Sequence, residues 1–145
     1  MKKIIASILT VLLLLSLLAT SALAASLEQD TAQRINLERA ARGIAALEIS
    51  TVLGGKARVK AQDMAENGYF SHTSPTYGSP FTMMRTLGVS YRSAAENIAM
   101  GYTKADTVVA AWMASPSHRE SLLSSRYSVL GLGYYNGYWA AWLIR

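Results

Sequence analysis

Cysteine is absent from the 145 residues. That excludes a disulfide framework, so a chain bound for an oxidising compartment must rely on packing and hydrogen bonds, with a metal as the other available staple. No internal repeat or low-complexity tract appears, which excludes a repeat array. Concentrated positive charge is missing as well. The formal balance of +5 falls to +3 once Lys2 and Lys3 are set aside, and the remaining basic residues are scattered. The densest spots are Arg39 with Arg42, and Lys56 with Arg58 and Lys60. At such spacing they read as solvated helix faces, which argues against a nucleic-acid groove and leaves at most a weak attraction to an anionic surface. After the first two dozen residues no second apolar run reaches membrane length. Histidine is scarce, with His72 and His118 the only two.

What is present begins with a leader. Lys2 and Lys3 precede an apolar run from Ile4 to Leu18, and Ala22-Leu23-Ala24 supplies a small-x-small cleavage pattern, so 1–24 read as a secretory signal peptide. Ser7, Thr10 and Ser16 interrupt a run shorter than the roughly 20 residues of a spanning helix. No cysteine precedes Ala25, so lipid attachment there is not expected. The remainder, 25–145, suits one domain with one core, expected to be a secreted monomer with no membrane span.

Along that remainder, Glu28 to Arg42 is free of Gly and Pro and rich in Ala, Leu, Glu and Arg, which predicts a helix stopped by Gly43. A linker from Ile44 to Ile49 follows. Ser50 or Thr51 can cap a second helix whose Leu53, Ala57, Ala61 and Met64 recur on one face, ending at Asn67-Gly68. The pair Gly54-Gly55 lowers helix propensity near its start. From Tyr69 to Pro80 the composition turns to loop chemistry and carries His72, before a short helix at Phe81 to Leu87 and a strand at Tyr91 to Met100. Thr103 to Asp106 reads as a capping box for a helix with Val108, Val109, Trp112 and Met113 on its apolar stripe. Near the end, Asn136-Gly137 predicts a two-residue hairpin pairing Tyr135 with Tyr138, Gly133 with Ala140 and Gly131 with Trp142. Glycines opposite Trp142 imply that the ring crosses them or that another element comes close.

Three residues stand out for chemistry. Glu96 lies in the apolar run Ala94 to Met100 and needs a hydrogen-bonding or positive partner if buried. Ser115-Pro116-Ser117-His118 has the grammar of a helix start, with Ser115 as cap and His118 in the first turn. His72 comes on a loop.

Ile35-Asn36-Leu37-Glu38-Arg39, Phe70-Ser71-His72, Glu96-Asn97-Ile98-Ala99, Trp112 to Arg119, and Gly131-Leu132-Gly133 with Tyr138-Trp139 together resemble the CAP superfamily. The superfamily is named for cysteine-rich secretory proteins, antigen 5 and pathogenesis-related proteins, and the likeness is to its cysteine-free bacterial branch. The resemblance implies an α+β fold, a three-layer α-β-α sandwich with a small, mainly antiparallel sheet. It also implies a ligand cleft of His72, Glu96 and His118, with Ser115 where many eukaryotic members carry a second glutamate. Ala95, Ser121 and Ala141 depart from the family pattern.

Two neutral imidazoles and a carboxylate suit a divalent metal such as zinc, with His72 and His118 as ligands, and a helix dipole near His118 favours its neutral form. The same residues equally suit a hydrogen-bonded cluster tying loop to strand to helix. Without a second glutamate there is no paired-carboxylate machinery. A serine-histidine pair drawn from Ser71 or Ser115 competes with the capping role of Ser115. Asn97, Trp112 and Arg119 read as structural, while Tyr69, Tyr77, Tyr91 and Tyr102 are placed to stack on sugars or peptides. The expected function is an extracellular binding or interaction module, the cell wall being one candidate partner. The alternative is a metal-assisted hydrolase of peptide or cell-wall bonds with Glu96 as third ligand or general base, and the sequence leaves open whether the protein is an enzyme.

The leader generates the first prediction. Intact-mass analysis of protein recovered from medium or cell envelope should give a chain starting at Ala25, and recovery of only the full-length chain from membranes would contradict it.

Overall fold

The computed structural model describes the backbone of residues 2–145 and side chains from Val11 onward, so Lys2 and Lys3, the basic head of the expected leader, lie outside the described side chains. Helix α1 runs unbroken over Lys2–Ala40, longer than the helix expected from Glu28. Its two parts differ in surroundings. Val11 to Leu23 are exposed, and burial sets in around Leu27 and Glu28, just beyond the expected cleavage point. The stretch Val11–Ala40 is long and apolar enough to cross a membrane, a property that leader sequences share.

The remaining elements are β1 (Glu48–Ile49), α2 (Thr51–Glu66), α3 (Pro80–Thr86), β2 (Ala94–Met100), α4 (Ala105–Ala114), α5 (Pro116–Leu123), β3 (Val129–Tyr135) and β4 (Tyr138–Ile144). The four strands form one sheet in the order β1-β3-β4-β2, antiparallel except where β1 runs parallel to β3. The hairpin forms in the expected register, with Tyr135 opposite Tyr138, Gly133 opposite Ala140 and Gly131 opposite Trp142. Its turn takes positive φ at both Asn136 and Gly137, the conformation that Asn-Gly tolerates. Strand β1, inside the expected linker, is two residues long and too short to show a period.

Alternation along the strands splits the core in two. One face packs Leu130, Leu132, Trp139 and Leu143 against Ile35 of α1, Val108 and Trp112 of α4 and Leu122 of α5. The other packs Ala140, Trp142 and Ile98 against Leu53, Ala57 and Met64 of α2 and Met83 and Met84 of α3. This is the three-layer α-β-α sandwich, and the apolar stripe read for α2 is buried as expected. Each buried tryptophan contributes on the order of 1.5–3 kcal/mol through apolar area alone.

Glycine sets the distance between the sheet and α2. A Cβ on Gly54 would lie 2.8 Å from the Leu132 carbonyl oxygen, one on Gly131 would lie 2.5 Å from the Leu53 carbonyl carbon, and one on Gly133 would overlap the backbone of Ala57 and Arg58. The helix therefore rests directly on β3. Close approach, rather than a ring crossing them, is why glycines face Trp142's side of the sheet.

Two local expectations are corrected. The capping box at Thr103 does not form, because Lys104 is extended and takes the cap position without a side-chain bond. That shift moves Asp106 to the second helical position, where it accepts from its neighbour Thr107 N–H. The basic spots are not simply solvated faces either. Arg39 is buried and donates to the carbonyls of Ala45, Leu122 and Ser124, binding α1 to the end of α5. Arg58 pairs with Glu28, and Lys60 is fully buried.

The glycine contact predicts opposite effects for two alanine substitutions. Gly133→Ala should cost about 1–3 kcal/mol by overpacking, whereas Gly55→Ala, with open space around it, should gain about 0.5–1 kcal/mol of helix propensity. Urea unfolding of both variants checks this, and a Gly133→Ala curve matching the parent would contradict the contact.

Candidate functional site

The site starts from α2. Lys60 lies seven residues after Leu53, on the buried stripe, with no solvent exposure. Its ammonium spends its three protons on the Tyr69 hydroxyl at 3.1 Å, the Ser71 carbonyl at 2.7 Å and the His72 carbonyl at 3.0 Å. One turn on, buried Asp63 accepts from the hydroxyls of Tyr69 and Ser74, the latter at 2.7 Å, and from the Asn67 amide at 2.8 Å. Burial lowers the Lys60 pKa, while the carboxylates of Glu96 and Asp63 pull it back up. Burial and the bond to Asp63 raise that of Tyr69. The loop from Tyr69 to Ser79 is thus fixed by its own carbonyls and hydroxyls, closed by reciprocal backbone bonds between Ser74 and Gly78.

This loop sets His72 over β2. The His72 Nδ1 bonds Glu96 Oε1 at 2.8 Å, and the indole of Trp142, directly opposite Glu96 in the sheet, donates to Oε2 at 2.7 Å. The Glu96 side chain is 1% exposed and that of His72 is 50% exposed. An ionised carboxylate only accepts, so the bond requires the proton on Nδ1 and leaves Nε2 of the neutral ring with a lone pair.

The second histidine arrives from the other layer. β2 is an edge strand, and consecutive residues point to opposite faces. Glu96 faces the His72 loop, and Asn97 donates to the His118 carbonyl at 3.0 Å, docking the first turn of α5. Burial, then the nearby His72, holds His118 below the ordinary imidazole pKa. The two layers therefore meet at the edge strand β2, where burial disfavours the charged form of His118.

Ser115 sits at the junction of α4 and α5 in the expected cap position, but its side chain makes no capping bond. Neither it nor Ser71 bonds an imidazole; the Ser71 hydroxyl accepts from Thr73 N–H. Trp112 is core, donating to the Ile98 carbonyl, and Arg119 donates to the Met113 carbonyl at the end of α4. Tyr69 is spent on Lys60 and Asp63, and the Tyr91 hydroxyl on Phe81 and Arg85. Lys60, Asp63 and Trp142 are the partners the sequence reading missed. The signal for Lys60 was its place on the Leu53 stripe.

Among the described residues no group of three or more His, Cys, Asp or Glu side chains is arranged to hold a metal ion. Each Glu96 oxygen already accepts one hydrogen bond, and the ring lone pairs beside it are those of His72 Nε2 and His118. A cavity of about 590 Å³ lies elsewhere, between the first half of α1 and the hairpin, lined by Leu17, Leu23, Arg58 and Tyr134.

The fold defines a class: three-layer α-β-α sandwiches with a small, mainly antiparallel sheet. Residues 32–140 match the family model described as CAP, the cysteine-rich secretory protein family, and the chain belongs to that family. It is 45% identical over 107 residues to the uncharacterized protein YkwD of Bacillus subtilis (strain 168), covering 74% of this chain and 42% of YkwD. It is 37% identical over 106 residues to the uncharacterized membrane protein YlbC of the same strain, covering 73% of this chain and 31% of YlbC. The chain thus spans less than half the length of either relative. An extracellular protein containing an SCP domain from Bacillus anthracis superposes with a TM-score of 0.82 at 28% identity, over 84% of this chain and 41% of that one. An outer surface protein of Borrelia burgdorferi shares the fold with a TM-score of 0.72 at 24% identity, over 79% of this chain and 88% of that one.

Proposed function

We propose that the protein acts outside the membrane, after removal of 1–24, as a binding module whose ligand is taken at the open edge of β2 by His72 and His118. The observation that carries this reading is the double engagement of Glu96. Held by His72 and Trp142, it orients His72 rather than serving as a free base, and no second carboxylate joins it. His72 and His118 are the residues that would hold a divalent metal such as zinc, which would supply an electrophilic centre for a ligand's oxygen or nitrogen. Extracellular action is supported by the apolar start of α1 and by the extracellular and outer-surface solved relatives.

Glu96→Gln gives the sharpest test. The buried indole of Trp142 can only donate, so the amide oxygen must turn to it, and the amide nitrogen then faces His72 Nδ1. That moves the His72 proton to Nε2 and removes the free lone pair. Calorimetric titration with zinc should show binding in the parent, loss in His72→Ala and in His118→Ala, and loss in Glu96→Gln, which should still melt cooperatively but below the parent because Lys60 loses one balancing carboxylate. Incubation with cell-wall fragments and peptides, with and without divalent metals, should give co-sedimentation without cleavage. Unchanged zinc binding in all three variants, or none in the parent, would leave the cluster structural, and cleavage that depends on Glu96 would replace the binding reading with the hydrolase.

A further inference from the structure

At the end of the sheet remote from the hairpin turn, three chain segments are tied together. The Arg92 and Ser93 amides donate to the Arg145 carbonyl, the Arg145 amide returns a bond to Ser93 at 3.0 Å, and the Ser93 hydroxyl donates to the Arg126 carbonyl at 3.2 Å. This brings Arg92, Arg126 and Arg145 to one end of the molecule, all three exposed. Among the described residues none of their guanidinium groups makes an ion pair or hydrogen bond. Every other described Arg or Lys except Lys104 donates to a carboxylate, carbonyl or hydroxyl oxygen. Lys104 lies beyond the opposite end of β2. Among the described residues the uncommitted positive charge, Lys104 apart, is thus gathered at one place, and no carboxylate forms an ion pair with it.

We propose that this end of the sheet docks a linear phosphate-bearing polymer. Guanidinium forks match phosphate oxygens two at a time, and three of them on separate segments, none buried, suit a repeating anion better than one small phosphate. Base stacking has no platform here, because Tyr91 and Tyr127 pack against the two core clusters. Ser93 is three residues before Glu96, about 10 Å along an extended strand, so a polymer held here passes close to His72. That last step alone rests on the binding reading of the cleft, and the docking test does not involve either histidine.

Binding of the parent chain to long-chain polyphosphate, to polyglutamate and to vesicles of anionic phospholipid, measured against salt concentration, tests the proposal. Polyphosphate should bind best, and the double variant Arg92→Gln/Arg126→Gln should weaken it about tenfold at low salt, with the slope of log affinity against log salt reduced by about 1.4. Lys104→Gln should bind like the parent, and all variants should melt like it because these side chains are exposed. Polyphosphate binding that is absent, or insensitive to the arginine pair, overturns the proposal. So does equal or tighter binding to polyglutamate or to vesicles, which would assign the patch to a carboxylate polymer or a membrane surface.

Discussion

A single buried ammonium holds the site together. Lys60 is sequestered from water on the face of α2 that otherwise carries Leu53, Ala57 and Met64, where an unpaired charge would cost several kcal/mol. Its three bonds go to the loop that carries His72, two of them to backbone carbonyls, so the charge is stabilised only when that loop is closed. Asp63 and Glu96 balance it from either side, and each in turn accepts bonds from the loop. Loop position and charge burial are therefore one constraint.

The sheet converts that constraint into a site with two histidines. Because β2 lies at an edge, Glu96 and Asn97 reach into different layers, one fixing the His72 ring and the other the first turn of α5. The buried indole of Trp142 holds the remaining Glu96 oxygen. Trp142 keeps its place because α2 lies against bare backbone at Gly131 and Gly133. Small residues in β3 and a large one in β4 thus decide how near Lys60 comes to the loop and to Glu96.

Much of this was legible in the residues. The stripe in α2 and the Asn-Gly hairpin with its register follow from local periodicity and turn chemistry, and the bond between His72 and Glu96 agrees with the family resemblance. Most of the misses share a cause. Lys60 and Arg39 lie at helix spacings that look solvated when charge alone is weighed, and only tertiary acceptors, loop carbonyls for one and the end of α5 for the other, make burial tolerable. The Gly54-Gly55 pair likewise had no local explanation, since its reason lies across the interface on β3. The Thr103 box failed because the chain enters α4 one residue late. Residues whose partners are distant in sequence carry no local signature of them.

The most direct test of the central claim is amide hydrogen exchange in Lys60→Met, a substitution that fills the same volume without the charge. The Ser74 and Gly78 amides, which bond each other's carbonyls across the loop, should exchange at least about tenfold faster than in the parent once three charge-assisted bonds are gone. Amides of β4 should keep most of their protection relative to them. Loop amides as slow in Lys60→Met as in the parent would contradict the account and show that the loop closes without its ammonium.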